Sequence, residues 1–97
     1  MPDSVWRLAP RVDLHWRRWD TEWIVFDAGS GQTHKTDTLT AMTLMVLEGG
    51  PARPGAVQDA IARELELVDD DSADVAARLP ELLADLGRLG LAETIAG

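Results

Sequence analysis

Two histidines, His15 and His34, are the only side chains in this chain that ordinarily titrate near neutral pH, and there is no cysteine. Thiol catalysis, disulfides and zinc–thiolate sites are therefore excluded. The two histidines fall in short strand-like segments that are not adjacent in a three-stranded meander, so they do not assemble a nucleophile and its base. His34 with Asp37 and Glu48 is the one imaginable metal trio. Its spacing matches no defined ligand pattern, and His34 reads as a surface histidine on an edge strand. Gly29-Ser30-Gly31 looks like a fragment of a phosphate loop, but it lacks the lysine and the helix start that such a loop needs, and it reads as a hairpin turn. Asp69-Asp70-Asp71 lacks the alternating spacing and distal glutamate of a calcium loop. Trp16, Trp19 and Trp23 offer a stacking platform for single-stranded nucleic acid. Alternation instead places Trp16 with Leu14 on a buried face and turns Trp19 outward. No catalytic residue, metal ligand or cofactor site emerges, and the reading turns to binding.

Charge narrows the class of partner. The 97 residues carry a net charge of −8. Residues 1–36 hold five basic and five acidic side chains, whereas residues 37–97 hold four basic and twelve acidic ones, so all the net charge lies in the second part. That field repels phosphate backbones and suits a neutral or basic peptide. A hydrophobic share of 45% with four tryptophans indicates a folded chain, and the length indicates one domain over residues 1–97. No apolar run approaches the roughly 20 residues of a membrane span, and no secretory signal pattern opens the chain. The expected compartment is the cytoplasm.

The elements that must position a binding surface follow from periodicity. Met1–Pro10 reads as a leading arm. Val12, Leu14 and Trp16 alternate with Asp13, His15 and Arg17, the period of a half-buried first strand. Asp20-Thr21-Glu22 is a turn. Trp23–Phe26 is apolar on both faces, as in a central strand, and Gln32–Thr36 is a short, polar third strand after the glycine turn. Asp37 is an N-cap for helix one, with Leu39, Met42, Val46 and Leu47 on its apolar face and Gly49-Gly50 ending it. Pro54 opens helix two, whose stripe is Val57, Ile61 and Leu65. Asp69–Ser72 reads as a solvated loop before helix three. That helix carries Val75, Leu79, Leu82, Leu83, Leu86 and Leu89 and closes at Gly90-Leu91. Pro80 falls inside it, where a kink is expected because the leucine period runs on past it. The fold class is α+β, a three-stranded antiparallel sheet followed by three helices. So small a sheet leaves an edge open, and strand three, short and polar with a helix cap directly after it, is the edge to which another chain can add.

Several segments carry a family resemblance. Trp23-Ile-Val-Phe-Asp-Ala-Gly-Ser-Gly-Gln-Thr-His, the helix opening Asp37-Thr38-Leu39-Thr40-Ala41 and the ending Leu86-Gly-Arg-Leu-Gly-Leu resemble PqqD-like proteins, also called RiPP recognition elements. The hairpin with Gly-x-Thr-His is similar to the HPr-rel-A type, which accompanies a kinase-related protein. The resemblance spans roughly residues 5–93. It implies a winged-helix-like fold and a non-enzymatic peptide chaperone without cofactors. Such a protein binds the leader segment of a ribosomally made precursor peptide and presents it to a modifying enzyme. Carried onto this chain, the leader adds to Gln32, Thr33, His34, Lys35 and Thr36, and lies against Arg78, Leu79, Leu82, Asp85 and Leu86 of helix three. Two positions depart from the pattern: Lys35 stands where relatives tend to carry an apolar residue, and Pro80 interrupts a helix that is usually smooth. The acidic second part further suggests a basic leader residue opposite Glu81 or Asp85. The competing classes are a winged-helix DNA binder, which the acidic balance of helix three disfavours, and a small structural subunit of an enzyme complex. Neither nucleic acid nor membrane is an expected partner.

Overall fold

The computed structural model describes residues 4–20, 22–67 and 69–95. Eight elements follow in order: β1 (Val5–Leu8), β2 (Leu14–Trp19), β3 (Glu22–Asp27), β4 (Gln32–Thr36), α1 (Thr38–Glu48), α2 (Pro54–Glu64), α3 (Asp69–Arg88) and β5 (Ala92–Ile95). The expected α+β meander is present as an antiparallel sheet in the order β2-β3-β4. Its inner face holds Leu14, Trp16, Trp23, Val25 and His34, and its outer face exposes His15, Arg17, Phe26, Thr33 and Lys35. Thr21 of the expected turn lies outside the described residues, as do the first three residues of the arm.

The described part of the expected arm contains a strand. Val5–Leu8 form β1, which pairs antiparallel with β5 from Val5↔Ile95 to Leu8↔Ala92. On its other side Trp6 exchanges two backbone hydrogen bonds of 2.8 Å with Ala52. The second sheet joins the two ends of the chain, a pairing that no local pattern announces. β2 starts at Leu14 rather than Val12, which sits before the strand, half-buried against the core.

The Gly-Ser-Gly turn is held by Asp27. Its Oδ1 accepts from the backbone N–H groups of Asp13 and Gly29, both at 2.9 Å, and its Oδ2 accepts from the Ser30 hydroxyl at 2.8 Å. Gly29 is obligatory, because a Cβ there would lie 1.6 Å from the Arg11 carbonyl oxygen. The Asp13 N–H leads in holding this carboxyl below its ordinary value; burial opposes it, and the Ser30 hydroxyl and Gly29 N–H assist.

The three helices close over Leu44, Leu47, Val57, Ile61, Leu79, Leu83 and Leu86, with Leu91 and Ala92 contributed by the approach to β5. Asp37 caps α1 by accepting from the Thr40 N–H at 2.8 Å. The buried side of α1 is Ala41, Thr43, Leu44 and Leu47, while Leu39, Met42 and Val46 are only half-buried. Thr43 tolerates burial because its hydroxyl donates to the Leu39 carbonyl at 2.9 Å. Pro54 takes the first helical position of α2. Leu65 leaves the expected stripe: it follows the helix as its C-cap and stays 40% exposed. The loop expected at Asp69–Ser72 is instead the start of α3. Carboxylates such as those of Asp70 and Asp71 suit a first helical turn, beside the positive end of the helix dipole. Pro80 lies on the exposed side of this one helix, where it offers no N–H to the Ala76 carbonyl one turn earlier.

Candidate functional site

Strand order puts β4 at an edge, paired to β3 alone among the described residues. The register Ile24↔Lys35, Val25↔His34 and Phe26↔Thr33 turns His34 and Thr36 inward and Thr33 and Lys35 outward. Thr36 fastens the end of the strand by donating its hydroxyl to the Trp23 carbonyl at 3.3 Å. The capping aspartate follows at once, so the edge ends abruptly against α1. Across from β4 lies the last half of α3.

Between the two is a groove of about 630 Å³. One wall is Thr33, His34, Lys35, Thr36, Asp37 and Thr40. The other is Arg78, Glu81, Leu82, Asp85, Leu86 and Leu89, with Leu91 behind them. Helical spacing explains the second wall: Arg78, Leu82, Asp85 and Leu89 recur at intervals of three and four and share one flank of α3. Leu86 is 2% exposed and belongs to the core as well as to the groove floor, whereas Leu82 is half-buried and Leu89 is 54% exposed.

Eight of the ten residues expected at the site therefore line one concavity. Gln32 is exposed at the start of β4, outside the lining. Leu79 is 2% exposed and packs in the core. Sequence reasoning missed Asp37, whose capping role hid its second position at the groove, and Thr40 beside it. It also missed Leu89, which the i+3 step from Leu86 announces, and Leu91, which reaches the site through the Gly90 turn.

The electrostatics of the groove are specific. Arg78 reaches Asp37 at 3.9 Å, Lys35 pairs with Glu22 at 3.1 Å, and Arg88 pairs with Asp85. Burial works to raise the Asp37 carboxyl, but the Thr40 N–H and hydroxyl and the Arg78 guanidinium outweigh it and hold it below its ordinary value. Glu81 has no ion-pair partner among the described residues. The His34 Nε2 is shut from solvent without a hydrogen-bond partner. Glu48, the third member of the imagined metal trio, is engaged elsewhere: its Oε1 accepts from the Trp16 indole N–H at 2.6 Å. Trp16 and Trp23 meet edge to face, with ring centroids 6.0 Å apart, and the Arg18 guanidinium covers Trp23 at 5.3 Å. That leaves Trp19, 68% exposed, as the outward tryptophan. Trp16, Trp19 and Trp23 do not share one exposed face.

No family model and no curated protein matches the chain. Solved structures do. TbiB1, in complex with the TbiA(beta) leader peptide, superposes with a TM-score of 0.64 over 94% of this chain and 99% of that one, at 23% identity. Lasso peptide synthetase B1, complexed with the leader peptide, gives a TM-score of 0.58 over 91% of this chain and 96% of that one, at 20% identity. The fold is that of the B1 proteins. The likeness spans nearly the whole of both chains.

Proposed function

We propose that this chain is a non-catalytic recognition module that binds the leader segment of a ribosomally synthesised precursor peptide. The peptide adds as a strand to β4, its side chains settle into the groove against α3, and the module presents it to a modifying enzyme. The observation that carries this reading is the unpaired β4 edge, set beside a leucine-floored groove on a fold shared with proteins solved with leader peptides. Backbone hydrogen bonds from the edge supply affinity, and Leu82, Leu86 and Leu89 supply selectivity. The PqqD-like resemblance of the hairpin and of the Leu86–Leu91 ending supports placing the chain among RiPP recognition elements, of the type that works beside a kinase-related protein. Its place of work is then the cytoplasm, where precursors are made. No described helix is long and apolar enough to cross a membrane.

The geometry weighs against duplex DNA on α3. Both arginines of that face, Arg78 and Arg88, are engaged by Asp37 and Asp85, and Glu81 lies between them. Little positive charge is left to meet phosphate.

A disordered leader that fills several pockets should bind at micromolar affinity or tighter, about −8 kcal/mol or more. Amide hydrogen exchange, with and without a leader peptide that the chain binds, tests the mode. Protection is expected over Gln32–Thr36 with perturbation of α3. Protection confined to Trp16–Trp23 would make β2 the docking edge and sink the assignment to β4.

A further inference from the structure

A second concavity, of about 390 Å³, lies beyond the end of β4 and shares Asp37 and Arg78 with the groove. Its floor is Leu65, Leu67 and Val75, and its rim carries Asp71 and Asp74. The turn between α2 and α3 builds that floor. Leu65 caps α2, Glu66 takes a left-handed conformation at φ 51°, and the Leu67 N–H returns to the Ala62 carbonyl at 2.9 Å. The two leucines are thereby held side by side, Leu65 40% exposed and Leu67 half-buried. A lone exposed leucine needs no explanation. Here it belongs to a recess continuous with the peptide groove, under aspartates that have no ion-pair partner among the described residues.

We propose that this recess is a second leader subsite, which takes an aliphatic side chain flanked by a lysine or arginine. The inference rests on the reading of β4 as the docking edge. Every strand pair among the described residues is antiparallel, and antiparallel pairing is the more stable per residue. A peptide added antiparallel to β4 runs against the direction Gln32 to Thr36. Its N-terminal end therefore leaves the groove past Thr36 and crosses the Asp37–Arg78 pair. The next residues meet the recess: an aliphatic chain covers Leu65, Leu67 and Val75, and a cation faces Asp71 and Asp74. The basic–aliphatic element lies N-terminal to the strand-forming stretch of the leader.

A random peptide library displayed on phage, selected on the whole chain, tests this without a known leader. The selected peptide is then titrated against the protein and its variants, all folded by circular dichroism. Asp71→Asn/Asp74→Asn should weaken binding about threefold to tenfold, a difference that high salt removes. Leu65→Ala should weaken it about fivefold. Enriched peptides should carry the basic–aliphatic pair on the N-terminal side of a β-prone stretch. A peptide that protects the Gln32–Thr36 amides yet is indifferent to both variants overturns the subsite and leaves the groove standing. A pair enriched on the C-terminal side overturns the antiparallel polarity, and with it the proposal. Failure to enrich any peptide, or enrichment of peptides that ignore Leu82→Ala and leave those amides unprotected, overturns subsite and groove together.

Discussion

The two sheets satisfy their backbones in opposite ways. β1 is paired on both sides, by β5 along its length and by Ala52 at Trp6. β4 is paired on one side and faces a groove on the other. The ribbon joins the chain's two ends under the core and spends its hydrogen bonds on the fold. The meander, built from a continuous stretch of chain, keeps one row of donors and acceptors in reserve. The difference separates stability from binding: damage to the ribbon should cost folding, and damage to the β4 side should cost affinity.

The α3 leucines sharpen this most, because they stand between the two regions. Leu86 is core and groove floor at once. Leu86→Ala should destabilise by about 2–5 kcal/mol, the cost of a cavity among buried neighbours. Leu82, half-buried on the groove flank, should cost less stability and proportionally more peptide affinity. Thermal melts with titration calorimetry separate the two effects. If Leu82→Ala melts as early as Leu86→Ala while its folded fraction binds normally, the groove does not lie on this flank. On the ribbon side, Trp6→Ala should cost about 2–3 kcal/mol, below the value for a fully buried tryptophan. The peptide affinity of the folded fraction should not change. A weakened affinity there would break the separation.

What was legible in the sequence follows the same division. The meander, the Gly29 turn, the Asp37 cap and the α2 start are local devices, and each is read from a few neighbouring residues. β1 and β5 pair across nearly the whole chain, so the four residues Val5–Leu8 carry no signal of their own; their partner lies at the other end. Asp69–Ser72 misleads because an acidic run suits a loop and a first helical turn equally well. At the site, leucine periodicity gave the flank of α3 but not its depth. A helical count puts Leu79 near the centre of the apolar face and Leu82 towards the flank of Arg78 and Asp85, and the position of β4 makes that flank a wall. Asp37 was accounted for as a helix cap, and Thr40, one turn into α1, carried no signal of a place at the groove.

Asp27 ties the meander together and gives it a pH dependence. Its folded pKa is lowered from the ordinary 3.8, so the unfolded state binds the proton more readily. The stabilisation is present above that ordinary value and is lost as pH falls through the lower folded one. Asp37 shifts in the same direction and adds to the slope. Asp27→Asn keeps acceptors for Asp13 and Gly29 but removes the charge. It should cost about 1–3 kcal/mol near neutral pH, since hydrogen bonds to charged groups are the stronger ones. It should also flatten the acid limb of a denaturation series. An unchanged acid limb would show that the Asp27 knot does not titrate with folding.

The smallest expected effect falls on Glu81, and it tests the binding side alone. Asp85 is already paired with Arg88, so Glu81 is the groove carboxylate left to meet a basic leader residue. It is exposed on α3, so Glu81→Gln should leave the melting temperature nearly unchanged. A solvent-exposed pair contributes only about 0–1 kcal/mol, so affinity should fall by no more than about fivefold, and high salt should erase the difference. Calorimetry at two ionic strengths measures both. Affinity that does not vary with salt in either protein would mean that the leader brings no cation to this wall, and the selectivity of the groove would then rest on Leu82, Leu86 and Leu89.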